Sequence, residues 1–363
     1  MTPPKKRKKA RVIAFYLPQF HPTPENDEWW GKGFTEWTNV ASARRFFKGH
    51  EQPRVPADLG FYDLRLSESR IAQAEMAATF GVEGFCYWHY WFAGRRMLER
   101  PFNEVLVSGQ PDFPFCLGWA NHSWNGIWKD EPYRKLIDQT YPGGEDDTAH
   151  FRYLLQAFRD KRYITVDEKP LLFVNGPQDM PDAKRRFDQW REMALKEGLK
   201  GLYIVGMNDL RFDNAVELGL DAITTSTLGI KTSDNSLVNN SLRAIWGVKR
   251  RLSIGGPRVI EYEDAVRHLI PDLHRFGCKA YPCVYPNWDN TPRKGRKGLV
   301  LANSTPELFE THLRDAVKAV ENNDPEHKII FLKSWNEWAE GNYLEPDTKW
   351  GLRYLEAVRR VIE

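Results

Sequence analysis

Residues 328–347 read KIIFLKSWNEWAEGNYLEPD, and the fold turns on how this stretch divides. The opening KIIFL is short, apolar and rich in strand-forming residues, which predicts a buried strand. From Ser334 to Asp347 the character changes. Glu337, Glu340, Glu345 and Asp347 alternate with Trp335, Trp338 and Asn336. A buried strand that delivers polar and aromatic residues at its C-terminal end is how barrels of parallel strands build active sites.

The same unit recurs along the chain. Strand-like runs stand at RVIAFYL (11–17), VEGFCYWHYW (82–91), PFCLGWA (114–120), PLLFVNG (170–176), GLYIVGMN (201–208), DAITT (221–225) and CKAYPCVYP (278–286), before KIIFLKSW (328–335). Helical patterns follow them at 67–80, 99–108, 147–160, 182–197, 212–218, 261–270, 305–321 and 348–362. Ser67 is the expected N-cap of the first. Thr305, Pro306 and the stripe Leu308, Phe309, Leu313, Ala316, Val317 and Val320 mark another. Strictly alternating strands and helices imply a parallel sheet. The expected fold is α/β: a single (β/α)8 TIM-type barrel with long loop insertions after strands 1 and 6. A doubly wound sheet is the alternative, but the loop after the first strand, PQFHPTPENDEWWGKGF, has no G-x-G-x-x-G phosphate signature. Residues 1–10 read as a basic flexible tail and 11–363 as the barrel domain.

Composition narrows the function. The 363 residues are 41% hydrophobic and 28% charged, with a net charge of only +3. The run KKRKK (5–9) supplies the excess, and no basic face follows in the body of the chain, which argues against nucleic acid. No apolar run reaches the ~18 residues of a membrane span. RVIAFYL lacks a signal-peptide cleavage pattern, so a cytoplasmic location is expected. Cys86, Cys116, Cys278 and Cys283 fall in strand-like runs without a C-x-x-C pair and are expected to be reduced thiols. Aromatic residues reach 13%, with 14 tryptophans. Many sit beside polar residues, as in DEWWGKGFTEW, CYWHYWF, GWANHSWNGIW and YPNWDN. Flat apolar faces next to hydrogen-bonding groups suit a sugar ring, with its C–H faces and hydroxyl rim. The expected partner is an oligosaccharide or polysaccharide; nothing in the sequence sets an oligomeric state.

At the strand ends the candidate site residues are Tyr16 and His21; Tyr87 and His89; Trp119, Asn121 and His122; Trp288 and Asp289; and Asn336, Glu337 and Glu340. Residues two apart in a strand share a face, so Tyr87 with His89, and Trp119 with Asn121, are each expected to point together into one pocket. Glycoside cleavage needs one carboxyl group as acid and a second carboxylate acting beside it. Glu337 and Glu340 fit those roles, and close carboxyls drive their pKa values apart. Glu345 and Asp347 are expected at the entry of the last helix. No H-E-x-x-H spacing supports a metal, so no metal or cofactor is expected. A G-x-S-x-G elbow is missing as well. So is the D-x-D pair with which many nucleotide-sugar transferases hold a metal.

FYLPQFHP, DEWWGKGFTEWTNV, FCYWHYWF, GWANHSW, YPNWDNTPR and SWNEWAEGNYLEPD together resemble the WbsX-type family, over residues 11–362. That family is named for glycosyltransferases of surface-polysaccharide gene clusters and is similar to glycoside hydrolase family 99, the endo-α-mannosidases. The resemblance implies a (β/α)8 barrel and a catalytic segment at Asn336–Gly341. It also implies that Glu337 deprotonates the sugar's 2-hydroxyl, giving a 1,2-anhydro sugar. Glu340 then serves as general acid and base, with retention and no metal. Glu36 and Trp37 join the substrate-binding candidates through the WbsX-like motifs. A nucleotide-sugar-dependent glycosyltransferase of lipopolysaccharide, O-antigen or other surface-polysaccharide assembly is the alternative function.

Overall fold

A computed structural model describes residues 8–126, 131–208, 215–225 and 255–363. The main sheet runs through β1 (Arg11–Tyr16), β2 (Gly84–Phe92), β3 (Phe115–Trp119), β4 (Lys169–Val174), β5 (Tyr203–Asn208), β6 (Ala222–Thr225), β7 (Lys279–Tyr281), β8 (Cys283–Val284) and β9 (Ile329–Leu332). Each of these pairs with its neighbours in parallel: Ile13 lies opposite Gly84, Cys86 opposite Cys116, Leu117 opposite Leu172, Phe173 opposite Val205 and Ile223 opposite Gly206. β1 also pairs with β9, Ile13 opposite Phe331. At Pro282 the chain changes neighbour: β7 pairs with β6, whereas β8 pairs with β9. Proline has no N–H to give a ladder, so a strand is interrupted there. The result is a mostly parallel sheet nearly closed into a barrel of TIM type, with helices outside.

The strands are buried on both faces, which is why they read as continuous apolar runs. Inside the barrel, Phe15 stacks on Trp88 with centroids 4.8 Å apart and meets Phe173 and Phe331. Gly118 makes room for this layer; a Cβ there would lie 3.3 Å from the Trp88 ring and 3.0 Å from Cys86 Sγ. Outside, the helices are α1 (Pro24–Trp30), α2 (Glu36–Ala41), α3 (Ser67–Thr79), α4 (Arg100–Ser108), α5 (Gly144–Phe158), α6 (Ala183–Lys196), α7 (Tyr262–Val266), α8 (Thr291–Lys294), α9 (Pro306–Val320) and α10 (Arg353–Ile362). α9 forms as its sequence predicts: Thr305 accepts from Leu308 N, and Phe309, Leu313, Ala316 and Val320 are buried. Ser67 is not a cap. Leu66 holds that position, and Ser67 is the first helical residue.

Residues 17–66, between β1 and α3, carry α1 and α2. The expected insertion after strand 6 lies largely outside the described residues, as do residues 1–7 of the basic tail and part of the helix expected at 212–218. Lys8 Nζ donates to Gly81 O, and Lys9 N donates to Ile362 O. All four cysteines are free thiols. Among the described residues, no helix is long and apolar enough to cross a membrane.

Candidate active site

After β9 the chain makes a small hairpin. Asn336 and Glu337 pair antiparallel with Tyr343 and Asn342, and Trp338–Glu340 form the turn. Gly341 closes it at φ 63°, where a Cβ would meet Asp289 N at 2.6 Å. A left-handed residue with no room for a side chain has to be glycine. The hairpin is braced from behind. Trp338 stacks on Tyr343, 3.8 Å between centroids, and its Nε1 donates to Glu345 Oε2 at 2.6 Å. Glu345 also accepts from Tyr62 OH (2.8 Å) and Gln73 Nε2 (2.6 Å). Asn336 clamps the hairpin to β1: its Oδ1 accepts from Leu17 N at 2.7 Å, and its Nδ2 donates to Leu17 O at 3.0 Å.

This bracing presents Glu337 and Glu340 to one guanidinium. Arg293 lies 2.6 Å from Glu337 Oε1, 2.8 Å from Glu340 Oε1 and 3.1 Å from Glu36 Oε2. Arg293 is placed by Asp289, whose Oδ1 accepts from Thr291 N (3.0 Å) and Thr291 Oγ1 (2.6 Å) at the start of α8. Asp289 Oδ2 is held in turn by His50 and Gln52. Against burial, these bonds and nearby Arg54 hold the Asp289 carboxyl below its usual range.

Glu337 and Glu340 line a cleft of about 430 Å³ together with Leu17, Gln19, Trp30, Trp88, Tyr90, His122, Trp124, Asn175, Arg293, Lys294 and Lys333. The two carboxyls differ in proton affinity. Burial, with repulsion from Glu340 and Glu36, pushes Glu337 up to about 7 against the pull of Arg293. Glu340 faces the cleft more openly. Burial acts upward on it as well, but Arg293, Lys333 and Lys294 hold it below the usual carboxylate range. Of the pair, Glu337 therefore has the greater affinity for a proton. Burial and the neighbouring carboxylate of Glu337 push the Tyr90 phenol up, so it is a hydrogen-bond donor.

Of the sequence candidates, Glu337, Glu340 and His122 line the cleft, and Glu36 reaches it through Arg293. The others are held elsewhere. Tyr16 donates to Gln73 and packs on Tyr87, with ring centroids 4.5 Å apart. His89 pairs with His150 at 2.8 Å, and burial drives its imidazole down to about 3, which makes it neutral. Trp119 packs against His150 and Trp190. Asn121 bonds Gly176 N and O, and His21 Nδ1 meets Pro18 O. Trp37 donates to Tyr62 O, and Trp288 packs on Tyr285. Asn336 and Asp289 position the hairpin and α8.

The reason is strand parity. Side chains alternate across a strand. Phe15, Leu17, Trp88 and Tyr90 face the barrel axis and its mouth, so Tyr16, Tyr87 and His89 face the helices. Trp119 likewise packs outward, and the pocket expected for Tyr87 with His89, and for Trp119 with Asn121, does not form. Sequence reasoning missed Trp88, Tyr90, Arg293, Lys294 and Lys333. For Trp88 and Tyr90 the signal was present in the alternation of CYWHYWF. Among the described residues, no group of three or more His, Cys, Asp or Glu is arranged to hold a metal ion.

The profile of the family described as Glycosyltransferase WbsX matches residues 12–358. Two strains of Xanthomonas campestris pv. campestris each carry a protein named "Uncharacterized protein WxcX" that is 36% identical over 362 residues, 97% of this chain and 50% of the relative. The chain thus spans about half the length of these curated relatives. Among solved structures, a "Glycoside hydrolase-like protein" superposes with TM-score 0.63 at 16% identity, covering 98% of this chain and 94% of the other. The GH99 endo-alpha-mannosidase from Bacteroides thetaiotaomicron superposes with TM-score 0.58 at 14% identity, covering 96% of each chain. At these identities the likeness is one of fold.

Proposed function

The chain belongs to the WbsX glycosyltransferase family, and from that premise we propose that it is a retaining glycosidase or transglycosidase acting on an α-linked, mannose-like polysaccharide. The observation that carries the reading is Arg293 gathering Glu36, Glu337 and Glu340 at the wall of an aromatic cleft. We read Lys279–Tyr281 and Cys283–Val284 as one strand broken at Pro282. Counted so, the described residues supply eight barrel strands, and the Glu337–Glu340 hairpin follows the last of them, at the C-terminal end where such barrels do their chemistry.

In the mechanism, Glu337 takes the proton of the sugar's 2-hydroxyl while O2 bonds to C1. The bond from C1 to the leaving oxygen breaks, and that oxygen receives the proton of Glu340. Water or a sugar hydroxyl then attacks C1 and gives its proton to Glu340, the C1–O2 bond breaks, and O2 recovers its proton from Glu337. Two inversions at C1 give retention. O2 can attack only from the face opposite the leaving group, which an α-mannoside allows and an α-glucoside does not. The resting proton sits on the wrong partner for this sequence, and substrate corrects it. A 2-hydroxyl donating to Glu337 favours its ionised form, and a sugar covering Glu340 removes water from it and raises its proton affinity.

The alternative is a nucleotide-sugar-dependent glycosyltransferase of surface-polysaccharide assembly, which the family description favours. The roles are tested with an aryl α-mannoside whose leaving group needs no acid. Glu340→Gln is expected to recover turnover on it relative to a natural glycan, and Glu337→Gln is not. Equal losses on both substrates in both variants contradict the assignment.

A further inference from the structure

Among the described residues, Arg293 makes the ion pairs to Glu36, Glu337 and Glu340. Lys333 and Lys294 line the same cleft, yet neither makes an ion pair among the described residues. Lys333 follows β9 with the inward parity of Phe331, and its Nζ stands 5.9 Å from the Trp288 ring centroid. Lys294 ends α8, one residue after Arg293. Both are only partly exposed. An ammonium that gives up water without gaining a counter-ion is costly, and the cost is recovered when a ligand brings the anion.

We propose that the saccharide bound here carries an anionic group, a carboxylate or phosphate, that docks on Lys333 and Lys294 beside Glu340. The proposal rests on the glycoside-cleaving reading and names its substrate class: an acidic rather than a neutral glycan. It also gives the lysines a part in timing. Against burial, and with Arg293 pulling more strongly, they help hold Glu340 below the usual carboxylate range. A substrate anion that neutralises them lets Glu340 take up the proton it needs as general acid.

The test is calorimetric titration of the full chain with α-mannobiose, its 6-phosphate, the same disaccharide oxidised at C6 to the uronate, and guanosine diphosphate as a donor-derived anion. Wild type is expected to bind the charged disaccharides about tenfold more tightly than the neutral one, about 1.4 kcal/mol. That ratio is expected to fall toward one in Lys333→Met with Lys294→Met, and to an intermediate value in either single variant. A wild-type ratio near one, a ratio kept in the double variant, or failure of every disaccharide to bind overturns the proposal. So does lysine-dependent binding of guanosine diphosphate alone, which makes the lysines a donor diphosphate site. Failure of the glycosidase reading looks different: charged disaccharides bind with lysine dependence, but turnover is the same in Glu340→Gln and wild type.

Discussion

Two kinds of carboxyl belong to the hairpin around Trp338, and they are easily confused. Glu345 is enclosed, bonded by Tyr62, Gln73 and Trp338, and burial pushes it up to about 7. Glu337 is buried as deeply and is pushed to the same value. A raised pKa therefore does not tell them apart. What does is the counter-charge and the opening. Glu345 is buried among neutral donors. Glu337 shares Arg293 with Glu36 and Glu340, and Glu337 and Glu340 line the cavity. The difference teaches that one carboxyl braces the hairpin while Glu337 and Glu340 open on the cleft.

The sharpest contrast is in activity. Glu337→Gln is expected to fold and to lose about 10²- to 10⁴-fold in turnover. Glu345→Gln is expected to lose stability first, with residual activity following the folded fraction; equal direct losses in folded samples of both would break the comparison. Next is Arg293→Gln. It leaves the buried Glu36 and Glu337 and the half-buried Glu340 without their shared cation and is expected to cost about 3–5 kcal/mol in denaturant unfolding. A shift below about 1 kcal/mol would mean that the cluster is solvated rather than tied to Arg293.

A smaller effect concerns pH. The folded value of Glu345, about 7, lies above its unfolded value, so the unfolded chain releases this proton first. Its contribution is full below the unfolded pKa of about 4.3 and is lost as pH rises through the folded one, by up to ~4 kcal/mol. Glu337 acts in the same direction, so the measurement is the wild-type profile minus that of Glu345→Gln between these limits. A flat difference contradicts the burial argument. The smallest effect is at Tyr87→Phe, on the helix-facing side of β2, expected to stay within about 0.5 kcal/mol in both stability and activation free energy. A larger loss of turnover would return Tyr87 to the site.

The barrel was legible because each strand is a short apolar run and α9 carries its own cap and stripe. The carboxylate pair was legible because Glu337 and Glu340 follow such a run among tryptophans. What misled was choosing strand residues by chemical type. His89 and Tyr87 look more like binding groups than Trp88 and Tyr90, but the pleat places only one set at the mouth, and one residue of offset exchanges them. Arg293 escaped notice because its role depends on Asp289 bending the chain toward a hairpin some forty residues later. That contact is tertiary, and no local pattern encodes it.

The most direct measurement of the central claim is product analysis by mass spectrometry. The protein is incubated with α-linked oligosaccharides and surface glycans, neutral and acidic, without any nucleotide sugar, alongside Glu340→Gln. The account predicts shortened or rearranged glycans from wild type and none from the folded variant. Products only when a nucleotide sugar is added, or equal products from both proteins, would contradict it.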